Sequence, residues 1–490
     1  MSDLVSPVSS DVGDLPSELF ADAGQRLVAW IAEYLAHPER YPVLSRVRPG
    51  DIRRALPASP PEQGEPLDRI LADFERVILP GITHWNHPGF FAYFGISASA
   101  PGILGELLAA ALDVNGMLWK TSPAATELEL VVLDWLRQLL GMEPGWFGII
   151  CDTASMSTML ALAAARETAG VRAGGSALAV RERGLAGRAD VPVMRVYTST
   201  QAHSSVDKAA IALGIGLENV VHIDTDDEFR MRPDHLAAAI EADRARGMLP
   251  IAVVATVGTT STTSIDPVRE IARVAHRAGA WLHVDGAYGG IAAIVPEMRR
   301  VLDGVELADS LVVNPHKWLF TPIDCSALYL RDPSALERAF SLVPEYLMTP
   351  EQDAAPNLMD YGVQLGRRFR ALKLWMVLRA FGAEGLATRL RHHCELAREF
   401  AGWVEAEEDW VLAAPVPFST VCFRYAPPGV DGATLDAMNE ATMHQVNASG
   451  EAYLSHTRLH GRFTLRLAIG NIRSERRHVE RAWELLRGAR

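Results

Sequence analysis

The chain has 490 residues, of which 49% are hydrophobic and 22% are charged, a composition typical of a soluble globular protein with one large domain or two to three smaller ones. Sixty acidic side chains against 47 basic ones give a formal net charge of −13, which repels phosphate backbones and argues against a nucleic-acid partner. No apolar run approaches the roughly 18 residues that cross a bilayer, so we expect no membrane partner.

The N-terminal sequence "MSDLVSPVSSDVGDLPSEL" has no basic stretch followed by an apolar one, so no secretory signal is predicted. The cysteines lack CxxC spacing, which argues against a disulfide framework or a zinc cluster. The "RHHC" segment at 391–394 and the pair His84 and His87 lack the further ligands that a metal site needs. We therefore predict a cytoplasmic protein that acts on small molecules and binds no metal.

The N-terminal region is predicted to form amphipathic helices. Apolar residues recur at helical spacing over residues 18–35 and 66–79, and a third such helix covers 125–141. The first two are too few to form a core alone. We therefore predict an N-terminal helical arm over residues 1–99 that packs on something larger, such as a partner subunit.

The middle of the chain is predicted to form an α/β domain over residues 100–372. Short apolar runs at 193–197, 251–257, 280–285 and 309–314 alternate with Ala-rich helical stretches, which favours a mainly parallel sheet. After it, the helical "ALKLWMVLRAFG" and the alternating "STVCFRY" and "FTLRLAIG" predict a smaller α+β domain over 373–490. The proline-rich and acidic segment 343–360 is predicted to be a long mobile loop.

Parallel sheets bind ligands at the carboxyl ends of their strands. Three of the predicted strands end in polar segments, "VATVGTTSTTS", "HVDGAYGG" and "NPHKWLF", and a fourth polar segment, "QAHSSVDKAA", follows the run at 193–197. We therefore expect these four segments to meet at one site.

Lys317 lies in the apolar stretch "DSLVVNPHKWLF" at residues 309–320. Such a lysine ordinarily keeps its ammonium group in water and buries only its stem. Alternatively, desolvation by the aromatic neighbours lowers its pKa, so that a neutral amine can condense with an aldehyde.

Two further side chains complement an amine of that kind. Asp285 ends a predicted strand before glycines, where an aspartate either caps a turn or pairs with a cationic ring nitrogen, and Ala287 leaves room for a flat ring. His203 is either an ordinary loop histidine or a stacking partner for that ring. A carboxylate that keeps a pyridine nitrogen protonated makes the ring an electron sink, which is the chemistry of pyridoxal phosphate.

A phosphate site is predicted where an Ala-rich helix begins. Free backbone N–H groups and the helix dipole bind anions there, although the same pattern is also that of a plain N-cap. The residues at this helix start are Thr153, Ala154 and Ser155.

Eight segments together resemble the aromatic-L-amino-acid decarboxylase branch of the group II pyridoxal-phosphate decarboxylases, from about residue 15 to about 487. They are "GITHWNHPGFFAYF", "TSPAATELE", "QAHSSVDKAA", "VATVGTTSTTSID", "WLHVDGAYGG", "NPHKWLF", "DCSALYL" and "LGRRFRALKLW". The resemblance implies fold type I, the aspartate-aminotransferase-like α/β fold, with a seven-stranded, mainly parallel sheet in the large domain. It also implies a homodimer with its active site at the subunit interface.

The resemblance assigns roles to individual residues. Lys317 would carry the internal aldimine, Asp285 would pair with the pyridinium and His203 would stack on the ring. The further cofactor contacts that it implies are Thr153, Ala154, Ser155, Thr260, Asn314 and His316. It also places an aromatic wall in the substrate pocket, although such a cluster is more often core packing; the residues expected in this pocket are Trp85, Tyr93, Phe94, Asn115, Met117 and Gly366.

The product depends on Tyr346, which falls where the family carries the tyrosine that protonates Cα. Related enzymes that form aldehydes commonly have phenylalanine there or lack the stacking histidine, and both residues are intact here, so we predict decarboxylation to an amine. An aldehyde synthase, an aminotransferase with Arg466 as its carboxylate clamp, and a catalytically silent homologue are the alternatives.

The substrate is less well defined by the sequence. Gly366 slightly favours tryptophan as the substrate, since the plant relatives that act on indolic substrates tend to have glycine at this position. Phenylalanine, tyrosine, dihydroxyphenylalanine, 5-hydroxytryptophan and histidine stay open. No basic residue stands out as a binder of a side-chain carboxylate, which disfavours glutamate.

Overall fold

The computed structural model of the chain describes residues 14–342 and 355–489. Most of the predicted mobile loop at 343–360, including Tyr346, lies outside the described residues. The last residues of that segment enter a 3-10 turn, Leu358–Tyr361, in which Leu358 and Met359 are buried.

The described residues form helices and strands in alternation over the middle of the chain. The α-helices are α1 Ser17–Ala36, α2 Asp51–Ala55, α3 Leu67–Asp73, α4 Ala100–Leu112, α5 Pro123–Leu139, α6 Ala154–Arg172, α7 Val180–Arg183, α8 Ser205–Ala212, α9 Pro233–Ala245, α10 Val268–Ala278, α11 Pro315–Trp318, α12 Ser334–Phe340, α13 Arg370–Glu405, α14 Gly432–Ser449 and α15 Arg476–Gly488. The strands are β1 Phe147–Cys151, β2 Met194–Ser199, β3 Val220–Ile223, β4 Leu249–Thr256, β5 Trp281–Asp285, β6 Ser310–Val313, β7 Ser326–Leu330, β8 Trp410–Leu412, β9 Thr420–Tyr425, β10 Ser455–Leu459 and β11 Arg462–Ala468.

The larger sheet has seven strands in the order β1-β7-β6-β5-β4-β2-β3. Strands β2 to β6 are parallel to their neighbours among themselves, and only β7 runs antiparallel to both β1 and β6. The predicted α/β class and the seven-stranded, mainly parallel sheet are confirmed. The carboxyl ends of β4, β5 and β6 consequently lie side by side at one edge.

Both faces of this sheet are covered, which is why its strands read as continuous apolar runs. In β4, Val253 belongs to the core that contains α10, whereas Val254 belongs to the core that contains α6. Residues 161 to 165 of α6, four alanines and Leu162, are all fully buried, because the small alanine side chains let this helix lie close against the sheet. The start of α6 is thereby brought to the edge where β6 ends.

The smaller sheet is antiparallel, in the order β10-β11-β9-β8. It packs on the second half of α13 and on α15, and the ring of Phe400 lies 5.0 Å from that of Phe423 and 5.5 Å from that of Trp483. Helix α13 runs across the predicted boundary at residue 372 and is kinked at Gly382, whose φ of 62° is in the region that favours glycine. The domain limits at 99 and 372 stay predictions.

The helix predicted over 66–79 is wrong in its second half. Helix α3 ends at Asp73, and a π-turn over Phe74–Ile78 and a 3-10 turn over Leu79–Gly81 follow. Pro80 has no backbone N–H and therefore cannot continue an α-helix. The helices predicted at 18–35 and 125–141 are confirmed as α1 and α5.

Among residues 14–342 and 355–489, no helix is long and apolar enough to cross a membrane. The four cysteines are free and buried.

Candidate active site

A cavity of about 510 Å³ opens at the carboxyl edge of the larger sheet. Residues at or just after the ends of β4, β5 and β6 line it, as the rule for parallel sheets predicts. The predicted cofactor residues that it brings together are His203, Thr260, Asp285, Ala287, His316 and Lys317. Three predicted substrate residues line the same cavity, namely Trp85, Tyr93 and Phe94.

Lys317 lies in α11, a single turn that follows β6. Every residue from 311 to 320 is buried except Lys317, which is half-buried and lines the cavity. Burial lowers the pKa of Lys317, the Asp285 carboxylate opposes this effect, and the Arg466 guanidinium lowers the pKa further. Its Nζ lies 5.2 Å from the centre of the Phe94 ring. The amine is therefore easier to deprotonate than an exposed lysine, as bonding to an aldehyde carbon requires.

Asp285 ends β5 and is 6% exposed. Its Oδ1 accepts a hydrogen bond of 3.0 Å from the backbone N–H of Ala287. The carboxylate thus caps the turn and also lines the cavity, so both roles considered from the sequence apply to the same side chain.

His203 lies in the loop before α8, and its exposed ring lines the cavity. Its Nδ1 accepts a hydrogen bond of 3.1 Å from the N–H of Ser205, so the neutral ring carries its proton on Nε2. Partial desolvation lowers the pKa of His203, which favours that neutral form. A neutral, accessible ring is suited to stacking on a flat ligand.

His316 and Asn314 form a polar pair beside Lys317. The N–H of Cys325 donates to Nδ1 of His316 over 2.9 Å, which leaves the proton of the neutral ring on Nε2. Burial lowers the pKa of His316 to about 3. The amide group of Asn314 lies 3.3 Å from Nε2, and a protonated Nε2 requires the amide to present its oxygen. The amide NH₂ is then available to an anion.

The predicted phosphate residues Thr153, Ala154 and Ser155 do not line the cavity among the described residues, and neither does Asn314. Thr153, Ala154 and Ser155 follow β1, and Asn314 follows β6. Because both strands pair with β7, these two groups lie at the same edge of the sheet, about two strand spacings or roughly 10 Å apart, beside the cavity. The plain N-cap is wrong as an explanation: the Thr153 side chain accepts no hydrogen bond from the first turn of the described α6, and its hydroxyl lies 3.1 Å from Asp152.

These features fit pyridoxal phosphate. The first-turn N–H groups of α6 have no acceptor in the helix itself, and once the oxygen of the buried Asn314 amide accepts from His316, its NH₂ group has no further partner among the described residues. Phosphate would be held by these groups, with Asp285 at the ring nitrogen, His203 on the ring face and Lys317 at the aldehyde.

Asn115, Met117 and Gly366 form a separate cluster that does not line this cavity among the described residues. The Asn115 Oδ1 accepts a hydrogen bond of 2.9 Å from the N–H of Arg367, and its Nδ2 lies 3.6 Å from the Met117 sulfur. A Cβ at Gly366 would lie 3.8 Å from the Asn115 amide. Their place in the substrate pocket stays a prediction.

Arg466, named from the sequence as the carboxylate clamp of the aminotransferase alternative, lines the cavity and is 4% exposed. Its Nε donates to the carbonyl oxygen of Ser261 over 2.9 Å, and its guanidinium lies 4.6 Å from the centre of the Phe94 ring. Among the described residues, its Nη2 has no hydrogen-bond partner. The cavity therefore contains one basic side chain with a free N–H group, although the sequence pattern indicated no basic residue as a binder of a side-chain carboxylate.

Phe94 also stacks on Tyr288 at 4.0 Å, and Tyr288 stacks on Trp318 at 4.8 Å. The aromatic segment is therefore both core packing and cavity wall, which the sequence could only pose as alternatives.

The loop over residues 257–265 carries Thr260 and Ser261 to the cavity and joins three parts of the site. The N–H of Val257 donates to the carbonyl oxygen of Asp285, and that of Thr260 donates to the carbonyl oxygen of Gln201. Ser261 bonds to Arg466 of the small domain. Directly after the loop, the buried Asp266 accepts hydrogen bonds from the N–H groups of Met231 (2.7 Å) and Thr256 (2.8 Å).

Replacement of Asp266 by alanine is expected to lower the free energy of unfolding by about 2–4 kcal/mol, because two buried N–H groups would lose their acceptor. Urea denaturation measures the change. Asp234→Ala removes an exposed aspartate from α9 and is the control, for which we expect a change within about 0.5 kcal/mol. If Asp266→Ala lowers the free energy of unfolding by less than about 1 kcal/mol, these two hydrogen bonds do not hold the end of the loop in place.

A type I α/β fold with an apolar-lined lysine, a strand-end aspartate and an accessible histidine in one cavity defines a pyridoxal phosphate-dependent enzyme. Residues 49–426 match the family model described as the pyridoxal-dependent decarboxylase conserved domain. The chain belongs to this family, which confirms the predicted resemblance, the cofactor and the assignment as a carboxy-lyase.

Individual relatives match over nearly their whole length. Tryptophan decarboxylase 2 of Oryza sativa subsp. japonica is 40% identical over 484 residues, covering 96% of this chain and 95% of the relative. Phenylacetaldehyde synthase of Arabidopsis thaliana is 40% identical over 482 residues, covering 96% of each. The crystal structure of Oryza sativa TDC with PLP and tryptamine superposes with a TM-score of 0.92 at 37% identity, covering 98% of this chain and 99% of that one.

Proposed function

We propose that the protein decarboxylates an aromatic L-amino acid to the corresponding amine and carbon dioxide. The observation that carries the proposal is that one cavity holds Lys317 and Asp285 together with the aromatic side chains of Trp85, Tyr93 and Phe94. The names of the relatives support an aromatic substrate, since they include tryptophan and tyrosine decarboxylases.

The bound cofactor supplies an electron sink for the carbanion that forms when carbon dioxide leaves. Asp285 would keep the ring nitrogen of the cofactor protonated, and His203 would cover the ring face with a neutral imidazole. Lys317, whose lowered pKa favours the neutral amine, would hold the cofactor through its aldehyde group. Tyr346, outside the described residues, is our candidate for the proton donor to Cα.

We also propose a homodimer. Four leucines of α4 lie on one face of the helix and are between 47% and 59% exposed, namely Leu104, Leu107, Leu108 and Leu112. An exposed apolar patch of this size is typical of a protein–protein interface. Asn115 and Met117 follow this face directly, so a partner packed there would bring them to an interface. Their assignment to the substrate pocket fits a cavity completed by the partner subunit, as does a role for Gly366.

Leu108→Glu is expected to dissociate the dimer and to reduce activity at least about 10-fold, because a charge would be buried in an apolar interface. Sedimentation velocity measures the oligomeric state. Val171→Glu places the same charge at an equally exposed site at the end of α6 and should leave the dimer intact. A monomeric wild-type protein with full activity would refute the proposed dimer.

The proposed activity is tested by incubating the cofactor-loaded protein with an equimolar mixture of aromatic amino acids and identifying the products by mass spectrometry. Amines with carbon dioxide are the expected products. Aldehydes with ammonia would instead establish an aldehyde synthase, a candidate that the phenylacetaldehyde synthases among the relatives favour. Keto acids would establish an aminotransferase. Localisation in the cytoplasm stays a prediction.

A further inference from the structure

Two hydroxyl groups meet in the wall of the cavity. Oγ of Ser261, in the loop after β4, lies 2.8 Å from Oγ1 of Thr457, on β10. Both residues line the cavity and both are half-buried. Ser261 lies in a loop of the larger sheet and Thr457 lies in the smaller sheet, so no local sequence pattern predicts that the two side chains meet.

This pair has spare hydrogen-bonding capacity. Over residues 14–342 and 355–489, the bond between them is the only one that either side-chain hydroxyl makes. Two hydroxyl groups that share one hydrogen bond retain one O–H donor and several acceptor lone pairs. The neighbouring Ser455 differs, since its Oγ already accepts a hydrogen bond of 3.1 Å from the N–H of Tyr93.

The position of the pair is fixed by its surroundings. The carbonyl oxygen of Ser261 accepts hydrogen bonds from Nε of Arg466 (2.9 Å) and Sγ of Cys422 (3.3 Å). Thr457 is held in the antiparallel ladder opposite Thr464. Hydroxyl groups held in this way lose little freedom when a ligand binds, which favours recognition.

The other aromatic and apolar side chains of the cavity offer no comparable group: Phe94 and Ile96 can only pack on a ring, and Trp85 has an indole N–H that donates but cannot accept. The Tyr93 hydroxyl is already 3.1 Å from that of Tyr453. The Ser261–Thr457 pair is neutral, so it suits a neutral polar group rather than a charged one.

We infer that Ser261 and Thr457 select substrates whose aromatic ring carries a hydroxyl group, such as tyrosine, dihydroxyphenylalanine or 5-hydroxytryptophan. A ring hydroxyl both donates and accepts, so it completes the pair, whereas an unsubstituted ring would leave the spare O–H facing an apolar surface. This inference rests on the proposed aromatic decarboxylase function. It is compatible with the lean of Gly366 toward indoles, since 5-hydroxytryptophan satisfies both.

The test compares kcat/KM within two matched substrate pairs, tyrosine with phenylalanine and 5-hydroxytryptophan with tryptophan, on the cofactor-loaded enzyme. Wild-type enzyme should prefer the hydroxylated member of at least one pair by about 5- to 10-fold or more. Thr457→Val removes only the hydroxyl and should abolish that preference, chiefly through a fall in kcat/KM for the hydroxylated member. Ser261→Ala should act alike and guards against misfolding of the first variant.

Thr168→Val is the matched control, because the Thr168 hydroxyl bonds within α6 and lies outside the cavity. Equal or lower kcat/KM for the hydroxylated member of both pairs in wild-type enzyme overturns the inference, as does a preference that survives in both variants. These results leave the proposed function standing. No amine from any of the four amino acids overturns the proposed function itself, and the inference with it.

Discussion

Replacing Lys317 with alanine is expected to lower kcat by about 10⁴-fold or more, because the variant loses the only amine that lines the cavity among the described residues. The loss of activity should be the same for every substrate, since Lys317 is expected to bond to the cofactor and not to the side chain of the substrate. Absorbance of the purified variant above 400 nm should also be lost, as the cofactor can no longer be bonded to the protein.

The chain makes this prediction unusually easy to check, because it has only four lysines: Lys120, Lys208, Lys317 and Lys373. Borohydride reduction of the cofactor-loaded protein, followed by peptide mass spectrometry, should label Lys317 alone. Lys208→Ala removes an exposed lysine from α8 and should retain activity within about 2-fold. Label on any other lysine would refute the assignment.

Asp285→Asn has the second-largest expected effect, a fall in kcat of about 10²- to 10³-fold with a smaller change in KM. Asparagine keeps an oxygen that can accept the 3.0 Å hydrogen bond from Ala287, so the turn should survive. It removes the negative charge that keeps the ring nitrogen of the cofactor protonated, and with it the electron sink. Steady-state kinetics with saturating cofactor measures the loss.

The control separates charge from structure. Asp285→Glu restores the charge at a shifted position and should recover part of the activity, whereas a purely structural role would make it as harmful as any misfit in the turn. A variant Asp285→Asn with wild-type kcat would contradict the role proposed for this carboxylate.

The site residues that could be predicted from the sequence are those that directly follow a recognisable buried strand. Lys317 and Asp285 follow apolar runs that read directly as buried parallel strands, and the rule for strand ends then brings them together. Strand β10 escaped prediction because its sequence, "SHTRL", alternates exposed with half-buried polar residues and contains no β-branched run.

Contacts between distant segments were beyond the sequence for a different reason. Ser261 and Thr457 are 196 residues apart, and Asn115 and Arg367 are 252 apart. Only the tertiary fold determines such neighbours: the first pair meets where the small domain packs on the large sheet, and the second pair meets within the large domain. The helix predicted over 66–79 is α-helical only as far as Asp73 and continues as a π-turn, and Pro80, which lacks an N–H, then precludes a further α-helical turn.

The loop over residues 257–265 connects the cofactor side of the cavity to the small domain, through Gln201 at one end and Arg466 at the other. Binding free energy gained when a ligand fixes Thr260 is consequently shared with the seating of the small domain. If the cofactor favours the packed position of the small domain through this loop, thermodynamic reciprocity requires that the packed position strengthens cofactor binding by the same factor. Affinity for the cofactor is thus a property of both domains, although Lys317 and Asp285 belong to only one.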